Sequence, residues 1–158
     1  MSTSNKSKKD FIKSLQLIHF ILLMGVIVFA AYVSITLNEQ LIFSYTSGKA
    51  FIYMAITVSF VGNLMSKSLF NKLIKKIPKD ADLLQKAVKY NTAHIFRLAL
   101  LEFPALMCII FVMQSNNSFY FILVGILLII MLAIFPTKKT FTNEVPLTSK
   151  EKSILEKL

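Results

Sequence analysis

Charged side chains make up only 16% of this 158-residue chain, against about 25% in an ordinary soluble domain. Acids are scarcer still, with eight Asp and Glu against 18 Lys and Arg. So little charge cannot keep a chain that is 55% apolar in water, which excludes a water-soluble globule and sends the apolar surface to lipid. Cysteine is reduced to Cys108, which excludes a disulfide framework and any cysteine-based metal spacing and leaves a small packing residue. The two histidines, His19 and His94, stand at no spacing that makes a metal site with carboxylates. No nucleophile with its base, no phosphate-binding glycine loop and no metal cluster can be found. The expectation is therefore no enzyme and no cofactor.

What the chain does have is long runs without charge. Ser14 to Asn38 is one such run and Ala50 to Ser66 another, and both lengths suit helices that cross a bilayer. Four spans follow, at about 15–37, 50–69, 95–114 and 119–135. The largest piece left over is the 25 residues from 70 to 94, too short for a soluble domain of its own. The predicted fold class is all-α, an integral membrane four-helix bundle. It divides into a basic disordered N-tail over 1–14, a membrane domain over 15–135, and a C-tail over 136–158 with a short helix at about 149–158. The first apolar run passes Ala30 through Tyr32, Val33, Ile35 and Leu37, which is too long for a signal-peptide core and predicts an uncleaved anchor.

The net charge of +10 raises the question of nucleic acid, and its distribution answers it. Sixteen lysines fall before span one, between the last turn of span two (Lys67) and span three, or after span four, and Lys49 alone falls elsewhere. By the positive-inside rule both termini are then cytoplasmic, and the anionic inner leaflet is the natural counter-charge. No nucleic-acid motif accompanies the lysines, so no nucleic-acid partner is expected. Tyr45, Tyr53 and Tyr120 fall near the outer headgroup level, where amphipathic rings prefer to sit. Leu69, Phe70, Leu73, Ile74 and Ile77 continue span two at helical spacing until Pro78, and Asp82 with Gln85 predicts a new helix start running into span three. A basic helical hairpin should thus extend spans two and three into the cytoplasm. Lys72, Lys75, Lys76 and Lys79 on it are candidates for contact with anionic lipid or a partner. Thr148 with Glu151 predicts the cap of the short tail helix, whose apolar Ile154, Leu155 and Leu158 require something to dock on.

Of the 18 basic residues only Arg97 is arginine, and it lies in span three with His94 and Glu102. Counting rise per residue puts Arg97 about 3 Å and Glu102 about 10 Å inside the inner boundary. Five positions separate the two, about 140° around a helix, so they do not pair with each other. Span two offers Ser59, Gly62, Asn63 and Ser66 as a small polar stripe, with Asn63 about 9 Å deep. The expectation is a contact between Glu102 and the face made by Ser59 and Asn63, with Arg97 pointing to the inner headgroups. His19 belongs to the same inner-leaflet level as a packing residue, and Pro104 can bend span three.

The segment AHIFRLALLEFPALMCII over 93–110, followed by FPTKKT over 135–140, resembles small four-span bacterial membrane proteins that carry no assigned activity. Phe103 stands where such sequences commonly have Gly. The resemblance implies a four-helix fold in the bacterial inner membrane and nothing about chemistry. The leading functional expectation is a non-enzymatic component of a membrane assembly, associating with itself or with another membrane protein. A proton- or ion-coupled carrier or channel subunit using Glu102 is the alternative, and a lipid-modifying membrane enzyme the second.

Overall fold

The computed structural model describes residues 3–46 and 49–156, with side chains over 11–46 and 49–155. It is 80% helical, and no strand occurs among the described residues beyond one isolated bridge, Ile42 with Asn117. The helices are α1 (Thr3–Thr36), α2 (Lys49–Lys75), α3 (Leu83–Ser115), α4 (Phe119–Ala133), α5 (Lys138–Glu144) and α6 (Ser149–Glu156). α1, α2 and α3 each carry a stretch long and apolar enough to cross a membrane. α4, at about 22 Å, reaches that length only together with α5, from which it is bent by 80°.

Local chemistry explains the breaks. The residue before a proline avoids helical backbone, and α2 ends just short of Ile77–Pro78. α3 starts where the Asp82 carboxylate accepts the Gln85 N–H at 2.7 Å. It ends at Asn116, the one described non-glycine residue with positive φ, 52°; its N–H bonds the Val112 carbonyl at 2.8 Å, and Asn tolerates this left-handed turn better than most residues. The connection after α1 is stitched to the α3–α4 turn. Ile42 exchanges backbone bonds with Asn116 and Ser118, each 2.8 Å, while the Asn117 amide donates to Ser44 O at 2.6 Å and accepts the Ser44 N–H at 3.2 Å.

α3 is the central helix, packed on α1, α2 and α4. Its buried residues Leu98, Leu101, Ala105, Cys108, Ile109 and Val112 join Leu23, Val26 and Val33 of α1, Ile52 and Ala55 of α2, and Val124, Leu127 and Met131 of α4 in one core. The closest approach is at Gly62 of α2, where an added Cβ would stand 2.8 Å from the Leu100 carbonyl oxygen and 2.9 Å from Pro104 Cγ. The small stripe of α2 thus seats α3, with Ser66 donating to Arg97 O at 3.0 Å. A second core lies at the α2–α3 hairpin end, made by Leu15, Phe70, Ile77, Leu83, Ala87, Tyr90, Ala93, Phe141, Val145 and Leu155.

Four expectations change. The N-tail over 1–14, expected disordered, is helical from Thr3 as a continuation of α1, because extending an existing helix costs far less than nucleating one. Residues 1 and 2 lie outside the described residues. The helix expected as the fourth span over 119–135 ends at Ala133, since Pro136 keeps Phe135 out of helical backbone. Tyr120 is not a belt residue but fully buried, its ring 5.7 Å from Phe111 and 6.1 Å from Phe119; Tyr45 and Tyr53 are exposed. The tail after Pro136 is not a plain polar linker: α5 forms there, with the Thr137 and Thr140 hydroxyls each accepting the other's backbone N–H at 3.1 and 3.2 Å. The helix expected over 149–158 is described to Glu156, and residues 157–158 lie outside the described residues.

Candidate functional site

The densest polar grouping sits where the two cores meet. His19 of α1 and His94 of α3 are both buried and joined Nδ1 to Nε2 at 3.1 Å, one ring donating to the other. Aromatic rings enclose them: Phe135 stands edge-on to His19 at 4.9 Å, and Tyr90 stacks on His94 at 6.0 Å. One turn before His19, Gln16 donates to the Pro136 carbonyl at 2.8 Å, which fixes the α4–α5 break against α1. Helical spacing explains the grouping on α3, because Tyr90, His94 and Arg97 recur at four and three residues and share a face.

Arg97 does not reach out to headgroups as expected. Its guanidinium lies 4.6 Å over the Phe70 ring, and Nη1 stands 3.8 Å from Glu144 Oε1. The other oxygen of Glu144 accepts the Tyr90 hydroxyl at 3.1 Å. The physical reason is that α5 folds back under α3 and brings a carboxylate within reach, and a paired, ring-stacked guanidinium is better placed than one snorkelling past apolar neighbours. Beyond this grouping Lys86, with no exposed side-chain surface, is held by both oxygens of Glu151 at 2.9 and 3.0 Å. Thr148 and Glu151 close the expected capping box at the start of α6: the Thr148 N–H and hydroxyl donate to Glu151 Oε2 at 2.7 and 2.9 Å, and Glu151 N–H returns to Thr148 Oγ1 at 3.3 Å. Burial pushes the Glu151 carboxyl up, but the Thr148 N–H and the Lys86 ammonium outweigh it and hold the group below its ordinary range.

Glu102, Asn63 and Ser59 are not part of this grouping, and the expected contact among them does not form. Glu102 is two residues from both Leu100 and Pro104, the pair that seats Gly62, hence about 160° around the helix from each. It therefore lies on the side of α3 away from α2. The heights of Asn63 and Glu102 along their helices agree, since Gly62 stands against Leu100 and Pro104, but rotation about the helix axis is set by packing, and Gly62 turns the other face of α3 toward α2. Ser59 Oγ instead meets Cys108 Sγ at 3.6 Å. Asn63 lines a cleft between α2 and α4 with Ile56, Phe60, Leu123, Ile126 and Ile130. Glu102 and Asn63 have no hydrogen bond or ion pair among the described residues. Lys72, Lys75, Lys76 and Lys79 are all exposed at the hairpin end.

Sequence reasoning missed Glu144, Tyr90, Phe70, Gln16 and the Lys86–Glu151 pair as parts of a constellation. One signal was available: Phe141 and Val145, four apart in a short polar stretch, are the apolar pair that docks α5. Among the described residues no three His, Cys, Asp or Glu side chains gather as metal ligands would. Comparison with protein-family models, with curated proteins and with solved structures finds no match.

Proposed function

We propose that this chain is a non-enzymatic multi-pass protein of the bacterial inner membrane. In this reading it is a four-helix bundle with both termini in the cytoplasm, serving as an interaction component of a membrane assembly. The hairpin end, closed by α5 and α6, would be its cytoplasmic platform on the anionic inner leaflet. The observation that carries the reading is that the tail packs back onto the hairpin, so the exposed lysines of α2, the α2–α3 connection, α3, α5 and α6 gather at one end while Lys49 starts α2 at the other. Phe20, Phe60, Phe103, Ile129 and Leu132 are exposed along the helices between those ends, an apolar girdle suited to lipid. The grouping around Arg97 supports a structural role, since each charge there is matched within the fold.

The test uses the buried state of Cys108, which leaves introduced cysteines as the reactive thiols. In intact cells a membrane-impermeant maleimide should label Glu39→Cys and spare Lys79→Cys and Lys152→Cys until the membrane is opened. Outside labelling of Lys79→Cys or Lys152→Cys refutes the orientation. A second reading, an ion-coupled carrier or channel subunit, is favoured by one observation: Glu102 is half-buried with no polar partner among the described residues. Ion flux in proteoliposomes that disappears in Glu102→Gln would select it.

A further inference from the structure

A groove of about 410 Å³ runs between the end of α2 and the start of α3, lined by Leu73, Lys76, Lys89, Thr92 and Ala93. Its floor is apolar, and among the described residues its charged lining groups are two ammonium groups with no acid. The Thr92 hydroxyl proton is committed to the Val88 carbonyl at 3.0 Å. Beyond the lysines the groove opens along apolar side chains. On α3, Lys89, Thr92, Ala93 and Phe96 fall at i, i+3, i+4 and i+7, one continuous stripe, and Phe96 is exposed, as is Phe103 seven residues further. On α2, Leu73 is followed by Leu69 and Met65 at four-residue intervals toward the middle of the helix, and Met65 is exposed. Cationic rim and apolar run are therefore ordered along the helices as headgroup and chain are ordered in a lipid.

From this order we infer that the groove is a binding site for an anionic phospholipid. The phosphate lies between Lys76 and Lys89, and one acyl chain lies along Leu73, Leu69 and Phe96. This deepens the proposed platform by naming its ligand class, and it rests on the hairpin end facing the inner leaflet. A zwitterionic lipid fills the same apolar run but brings its own cation to the lysines, so charge complementarity selects the anionic class. Lys75 and Lys79 border a different cleft, against Asn143 and Glu144 of the tail, and serve as the internal control: the same charge at the same end, outside the groove.

The chain has no tryptophan, so Phe96→Trp makes a single reporter at the groove mouth. The protein is placed in nanodiscs of phosphatidylcholine with a minority of phosphatidylglycerol, with brominated chains on one lipid or the other. Quenching by brominated phosphatidylglycerol should exceed its bulk share by about fivefold. In Lys76→Gln/Lys89→Gln the excess should fall to bulk, in Lys75→Gln/Lys79→Gln it should persist, and Lys76→Arg/Lys89→Arg should retain it. Quenching in proportion to composition in the parent, or an excess indifferent to Lys76→Gln/Lys89→Gln, overturns the groove and leaves the membrane reading intact. No quenching by either brominated lipid takes Phe96 out of the bilayer and overturns the membrane reading itself.

Discussion

Lys86 and Glu151, 65 positions apart in sequence, close on each other through two bonds of 2.9 and 3.0 Å, and the lysine keeps no exposed side-chain surface. A buried ammonium stripped of its partner is costly, so this contact is the lock that holds α6 on the hairpin. Glu151→Gln should therefore weaken α6 docking by about 2 kcal/mol. Lys86→Met/Glu151→Gln, which removes both charges and keeps an acceptor for the Thr148 cap, should recover most of the loss. Hydrogen exchange of the amides over 150–155 measures both, and unchanged protection in Glu151→Gln would remove the lock from the account.

The same pair sets a pH window. The Glu151 carboxyl is held below its ordinary 4.5 by the Thr148 N–H and by Lys86, against the upward push of burial. A carboxyl with a lowered folded-state value contributes stability above 4.5 and loses it as pH falls through the folded value. Exchange protection of α6 should stay flat from pH 7 down to the ordinary carboxyl value of 4.5 and fall only as pH drops below it. Glu151→Gln should abolish that acid transition, and a loss of protection already near pH 6 would assign it to another group.

Gly62 carries the α2–α3 contact. A methyl there would meet a carbonyl oxygen and a proline ring below 3.0 Å, neither of which can swing aside, so Gly62→Ala should cost about 1 to 3 kcal/mol. Gly25→Ala and Gly125→Ala, where an added Cβ meets nothing within 4 Å, should be neutral or stabilising by up to about 1 kcal/mol, because alanine is the better helix former. Thermal unfolding in detergent ranks the three, and equal midpoints would argue against the close approach.

The His19–His94 bond admits a double-mutant cycle. Each single change to Leu leaves one buried ring without its partner and should cost about 1 to 3 kcal/mol. His19→Leu/His94→Leu should cost less than the two together, with a coupling of about 1 kcal/mol. Strict additivity would mean that the rings merely pack.

Heights along the helices were readable from sequence, and directions around them were not. Residue rise puts Asn63 and Glu102 at one height, and Gly62 standing against Leu100 and Pro104 agrees with it. Which face of α3 meets α2 depends on Gly62 fitting under Leu100 and Pro104, a matter of shape that no residue count contains. The Asp82 start, the Thr148–Glu151 cap and the extension of α2 past Leu69 follow local rules and were legible. α5 was not, because its cap is a pair of threonines in place of the usual threonine and glutamate, and Arg97 finds its carboxylate only after α5 has folded back. Lys86 shows the limit of charge counting: it enters the tally as a surface lysine and is one of the most enclosed side chains in the protein.

Phe141, Val145 and Leu155, which complete the second core, all follow α4 in the chain. A ribosome delivers them after the helices they cover, and domains fold from the N-terminus as they emerge. Until then Phe70, Ile77, Leu83 and Tyr90 present an uncovered apolar face at the hairpin end. A chain without α5 and α6 in place differs from one that has them by an exposed hydrophobic patch of the kind chaperones and proteases read. The hairpin end thus reports on its own surface whether α5 and α6 are in place.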